Sequence, residues 1–151
     1  MLKKLTQLLA EIDVVHNKLI LLTGALASGK TRLLRAYAAQ NGTTPLNLGG
    51  GLSHRLVALQ LKGRHLQASS LLRELADEYT QNDLLLIDNI ELLFDKTLQI
   101  DPLDVLKRLG HSRRVVAVWP AAINNGRLNY AELGHPEHRD YSLNGLVTIE
   151  I

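Results

Sequence analysis

Short, unbroken apolar runs alternate along the chain with longer stretches in which apolar residues recur every three or four positions. The runs at residues 18–22, 83–87, 115–119 and 145–151, with a shorter one at 44–48, have the length and flanking turn residues of buried strands. Between them the spacing turns helical. Leu5, Leu8, Leu9 and Ile12 predict an amphipathic N-terminal helix within residues 1–15. Leu33, Leu34, Tyr37 and Ala38 predict a helix that stops at Asn41-Gly42, and Leu71, Leu72, Leu75 and Ala76 one over residues 69–79. Asp101-Pro102 supplies an N-cap and a first-turn proline for a further helix, which Gly110 is expected to close. Three consecutive glycines, 49–51, precede Ser53, a candidate N-cap. They predict a flexible segment followed by a helix whose Arg55, Lys62, Arg64 and His65 most simply form a solvated face. Residues 120–144 read as a long loop or short helix returning to the last strand. Fully apolar strands alternating with helices imply an α/β fold, a parallel sheet covered on both faces. The expectation is one domain over residues 1–151, with 18–151 forming the core behind the N-terminal helix.

One stretch carries chemistry. Gly24, Ala25, Leu26, Ala27, Ser28, Gly29, Lys30, Thr31 and Arg32 follow the first strand and open a helix, with Gly24, Gly29, Lys30 and Thr31 in phosphate-loop spacing. A triphosphate is held here by backbone N–H groups at a helix N-terminus, where the dipole favours an anion. Lys30 is expected to reach the β- and γ-phosphates, and the Thr31 hydroxyl to ligate Mg²⁺. The implied ligands are therefore ATP and Mg²⁺, although no motif fixes the base.

The segment LLLIDN, residues 84–89, has the form of a Walker B strand, with Asp88 at its end as the second magnesium-side residue. Asp88 and Glu91 also read as a helix capping box. Asn89 stands where P-loop hydrolases of the additional-strand class usually carry a water-polarising glutamate. An amide orients water but does not take its proton, which leaves Glu91 as the nearest carboxylate for that task. Hydrolysis is thus expected to be slow, to depend on another group, or to be absent. His135 and His138 are separated by two residues, one of them Pro136, which argues for a turn, and no third metal ligand is evident.

Composition narrows the setting more than the chemistry. There are 17 Lys and Arg against 15 Asp and Glu, a net charge of +2 that makes no electrostatic case for nucleic acid. The absence of cysteine excludes disulfides and a thiol nucleophile. Polar residues interrupt any N-terminal signal segment, and no run reaches the length of a membrane span, so a cytoplasmic protein without membrane contact is expected.

The segment HRDYSLNGLVTIEI resembles the arginine-plus-strand segment of AAA+ ATPases of the replication-initiator branch. That resemblance implies an arginine finger acting on a neighbour's nucleotide, with Arg139 first and Arg127 second in line, and so a homo-oligomer. It also implies a mainly five-stranded parallel sheet in an αβα core, from which this sequence departs in two ways: no helical lid domain is expected after the last strand, and Asn124 or Asn125 would have to sense the γ-phosphate because the fourth strand ends in Trp119-Pro120. More narrowly, LLLIDNIELLFD, VVAVWP, GRLNYAE and GHPEHRDY together are similar to the small BrxF P-loop proteins of bacterial BREX phage-exclusion systems. The similarity implies partners among other defence-system proteins. Two other roles stay open on the residues: a non-hydrolysing nucleotide switch, favoured by Asn89, and a DNA-contacting module built on the 49–51 glycines.

Overall fold

Alternate residues of the central strands are buried in opposite directions, and this determines the layering. The computed structural model describes residues 1–14 and 17–151. Its main sheet contains β1 (Leu19–Thr23), β2 (Leu46–Asn47), β3 (Leu84–Asp88), β4 (Arg114–Val118) and β8 (Val147–Glu150). They run in the order β2-β3-β4-β1-β8, and every neighbouring pair is parallel. Leu19, Leu21, Leu85, Ile87, Val115 and Ala117 pack on one face with α3 (Leu48–Leu56), α4 (Arg64–Tyr79) and α5 (Pro102–Ser112). Ile20, Leu22, Leu84, Leu86, Val116 and Val118 pack on the other with α1 (Leu2–Glu11) and α2 (Lys30–Asn41). The result is the expected three-layer αβα arrangement. Each fully buried leucine or valine contributes about 1.5–3 kcal/mol to it.

Several boundaries match their physical signals. Gly42 caps α2 with φ 64°, and Asp101 accepts the Asp104 N–H at the start of α5, with Pro102 in its first turn. The N-terminal helix is shorter than the periodicity suggests. It ends at Glu11 in a single 3₁₀ turn, Ile12–Val14, and Val15 lies outside the described residues.

Three expectations are corrected. Residues 49–51 form the first turn of α3 rather than a mobile loop, and Asn47 caps that helix by accepting the Gly50 N–H at 3.0 Å. Glycine is required there by close approach: a Cβ on Gly49 would lie 2.8 Å from Asn89 Nδ2 and 3.0 Å from the Asn89 carbonyl. Gly110 does not end α5, which continues to Ser112; it is buried where the helix crosses the start of β1, and its carbonyl accepts the Lys18 N–H.

The third correction is the largest. Within residues 120–144 lies a second, antiparallel sheet of β5 (Ile123–Asn124), β6 (Arg127–Tyr130) and β7 (Arg139–Ser142). Asn125 and Gly126 form the β5–β6 turn with φ 52° and 69°, the left-handed pair that a two-residue hairpin needs. Leu128, Tyr130 and Tyr141 face inward and fix this sheet to the core. Phe94 stacks on Tyr130 with centroids 3.7 Å apart, and the Trp119 indole meets both Phe94 and Tyr141 edge-on.

Candidate functional site

β1 ends at Thr23, and the chain turns through residues 24–29 into α2. Gly24 takes φ 153°, and a Cβ on it would collide with the Ile151 carbonyl, so the loop closes only because no side chain is present. Ala27 is held at φ 60°, an unfavourable region for alanine that the surrounding loop enforces. The first-turn N–H groups of α2 have no intrahelical acceptor and give the loop its anion-binding character. Ser28 Oγ is buried with no hydrogen-bond partner among the described residues.

These groups line a cavity of about 420 Å³, which residues 26–32 share with Asp88, Asn89, Glu91, Val118 and Pro120. Lys30 is 7% exposed, and its Nζ donates to the Gly24 carbonyl at 2.7 Å and the Trp119 carbonyl at 2.8 Å. Burial pushes its pKa below the ordinary lysine value, while the charges of Glu91 and then Asp88 oppose that shift. Thr31 Oγ1 donates to Asp88 Oδ1 at 3.2 Å across the end of β4, the strand between β1 and β3. Residues 26–32 and Asp88 therefore share one cavity, and the Gly24 carbonyl is joined to it through Lys30.

Asp88 is not a helix cap. Its carboxylate accepts from Thr31 and from the Asn89 N–H at 2.8 Å, and the 3₁₀ turn Glu91–Phe94 begins after Ile90 with no side-chain cap. The capping-box reading fails because Asn89, at φ 57°, turns the chain before a helical turn starts. The Asn89 amide is directed to Asn47 Oδ1 at 2.9 Å, and its carbonyl accepts the Gly49 N–H at 2.9 Å. Glu91 lines the cavity as an exposed carboxylate.

The two arginines singled out from sequence lie on the second sheet. Arg139 is 3.7 Å from Asp101 and donates to the Ile100 carbonyl at 3.3 Å, while Arg127 Nε meets both oxygens of Asp140 at 2.8 and 3.0 Å. Both are engaged within their own chain. Asn125 sits in the β5–β6 turn and Asn124 on β5, and neither lines the cavity. His135 Nδ1 accepts the Glu137 N–H and His138 Nδ1 lies 3.1 Å from the Ala131 carbonyl; among the described residues no metal-binding group of three is formed.

Sequence reading missed two contributors. Asn47 ends β2 and holds the Asn89 amide, and the Trp119 main chain supplies a lysine-holding carbonyl. A polar residue closing an otherwise apolar strand was the available signal for Asn47; a main-chain acceptor leaves none.

The donor set fits a magnesium–polyphosphate group. It combines a helix N-terminus, an orphaned hydroxyl, a buried ammonium, and a hydroxyl–carboxylate pair of the hard oxygen type magnesium prefers.

No protein-family model and no curated protein matches the sequence. Solved structures do match. One is a crystal structure of a DNA replication initiation factor, 20% identical with a TM-score of 0.54; another is the replication initiator DnaA bound to AMPPCP and single-stranded DNA, 20% identical with a TM-score of 0.51. Each alignment covers 99% of this chain and 44% of the other, so the chain spans less than half the length of these initiators. The likeness shows the fold, a three-layer αβα core around a five-stranded parallel sheet.

Proposed function

We propose that this chain binds Mg-ATP in the cradle formed by residues 24–32 and Asp88, as a P-loop NTPase subunit that hydrolyses it slowly or on assembly. The observation that carries the proposal is the Thr31–Asp88 contact at 3.2 Å beside the buried Lys30 ammonium. A hydroxyl, a carboxylate and a cation converge on one cavity, a costly arrangement for a surface turn with nothing to hold. Lys30 donates two of its three hydrogen bonds to main-chain carbonyls, and a γ-phosphate would compete for that ammonium. The test is titration with a fluorescent ATP analogue in Mg²⁺. Lys30→Ala is expected to weaken binding on the order of 100-fold, the value of one or two lost charge-assisted contacts. Unchanged affinity overturns the proposal.

If hydrolysis occurs, water attacks the γ-phosphorus, its proton passes to a base, and the β–γ bridging oxygen leaves as ADP. Glu91 is the better-supported base, because the Asn89 amide is committed to Asn47 and has no proton-accepting group. Arg139 or Arg127 would stabilise the spreading phosphoryl charge in a neighbouring copy only after leaving Asp101 or Asp140. These intrachain pairs, with Asn89, favour the second reading of a non-hydrolysing switch. Steady-state phosphate release separates the two. A hydrolase shows turnover in the wild type that falls at least tenfold in Arg139→Ala, and a switch shows none, either in the wild type or in Asn89→Glu.

A role in phage exclusion, with other defence-system proteins as partners, rests on the BrxF-like segments of the sequence. DNA contact through residues 49–51 has lost support, since those glycines belong to α3 and Arg55 is paired with Glu78 and Glu74. Among the described residues no helix is long and apolar enough to cross a membrane.

A further inference from the structure

A groove of about 250 Å³ lies between α4 and α5 and shares no lining residue with the phosphate cradle. Its floor is aliphatic, made by Leu72, Val105 and Leu109, and its rim carries Arg73, Arg108 and Arg113. Arg113 is fixed by Asp77 at 2.9 Å and by Ser112 and Thr80, and is 13% exposed. Arg108 holds only an exposed contact with Asp104, and Arg73 has no hydrogen bond or ion pair among the described residues. Exposed pairs of the Arg108 kind are worth little, so two cations are available at the rim of an apolar slot. The aliphatic floor suits an apolar side chain flanked by carboxylates better than stacked nucleobases, which favour aromatic platforms.

The same chain carries a segment with that chemistry. The loop between β6 and β7 presents Leu133 at 90% exposure, flanked by Glu132 and Glu137, neither of which forms an ion pair among the described residues. The loop is braced by its own contacts: the His135 N–H donates to the Glu132 carbonyl, the His138 N–H to the His135 carbonyl, and the Glu137 N–H to His135 Nδ1. A knob held in this way loses little freedom on docking.

We propose that Leu133, with Glu132 and Glu137, inserts into the α4–α5 groove of a second copy of this chain. Within one molecule the contact is not made, since Leu133 is 90% exposed. Knob and groove are different patches, so the association is head-to-tail: each copy offers one of each, and growth ends only if a ring closes. The surface is separate from the cradle, and the contact stands whether or not nucleotide binds.

The test is sedimentation velocity of the full chain, without nucleotide, at low salt and rising concentration. Wild type is expected to grow beyond a dimer as concentration increases. Leu133→Asp, which spoils the knob, and Arg73→Glu, which spoils the groove, are each expected to be monomeric alone. Mixed one to one they should form a dimer and stop, because the intact knob of Arg73→Glu meets the intact groove of Leu133→Asp. Dimer formation by the mixture also shows that both variants are folded. A wild type that stays monomeric, variants that associate as it does, or a mixture that remains monomeric each overturns the contact. Binding of the fluorescent ATP analogue by the same variants should be unchanged within twofold, which keeps this result apart from that of the nucleotide site.

Discussion

At Lys30 burial and charge act in opposite directions, and burial prevails. Desolvation lowers its pKa, and Glu91 and Asp88 recover part of the loss. A polyphosphate would add several negative charges beside the ammonium and raise its pKa in the complex above that of the free protein. Below the free-protein pKa, Lys30 is charged in both states and affinity is at its full value. Above it, binding must take up a proton, and affinity falls by up to about tenfold per pH unit until the pKa of the complex is reached. Because burial has moved the free value downward, this decline starts at lower pH than for an ordinary lysine. Titration of the fluorescent analogue across alkaline pH is expected to show it for wild type. Lys30→Arg, which does not deprotonate, should show weaker binding at the lower end and a flat profile above it.

Among the secondary-structure elements, α3 shows where intrinsic preference and tertiary structure disagree. Alanine outranks glycine by about 1 kcal/mol in a helix, so propensity alone says that Gly49→Ala stabilises the protein. The structure says the reverse. The new Cβ would press on the Asn89 carbonyl, a main-chain atom fixed by β3 and by the left-handed turn at Asn89. A loss of about 1–3 kcal/mol is expected, the usual cost of overpacking. Gly63→Ala is the control, since nothing lies within 4 Å of its added Cβ and its φ is −99°. The check is the urea midpoint: Gly63→Ala at or above wild type and Gly49→Ala clearly below it, with the reverse order refuting the packing account. The same residues show why part of the fold was illegible. Apolar runs and the Gly24–Thr31 spacing are local signals, and they located the main sheet and the cradle. Three glycines read as flexible because the neighbours that crowd Gly49 and Gly51, Asn89 and Leu75, are distant in sequence. The second sheet had a local signal in Asn125-Gly126, but its strands are half-exposed and polar, so the unbroken apolar run that marks the main-sheet strands is missing.

The molecule as a whole is joined through Trp119. Its carbonyl receives Lys30 Nζ at the cradle, and its indole is fully buried against Phe94 and Tyr141 while Nε1 donates to the Asn129 carbonyl at 2.9 Å. One residue therefore meets the lysine of the phosphate-loop cavity, the turn after Asp88 and the antiparallel sheet that carries Arg127, Arg139 and the Leu133 loop. A phosphate that draws Lys30 away from the Trp119 carbonyl frees the end of β4, and the packed ring transmits any shift because cores deform in discrete steps more readily than continuously. The chain has a single tryptophan, so its emission reports on this junction alone. Mg-ATP is expected to change that emission along the same saturation curve as analogue binding, and Lys30→Ala should give no response. Tyr141→Phe removes the hydroxyl bond to Asp101, at 3.1 Å, but keeps the ring against Trp119, so its response should persist. Saturation of the cradle with no change in tryptophan emission would mean that the cradle and the second sheet are mechanically independent, and that nucleotide does not reach the Leu133 knob or either arginine by this route.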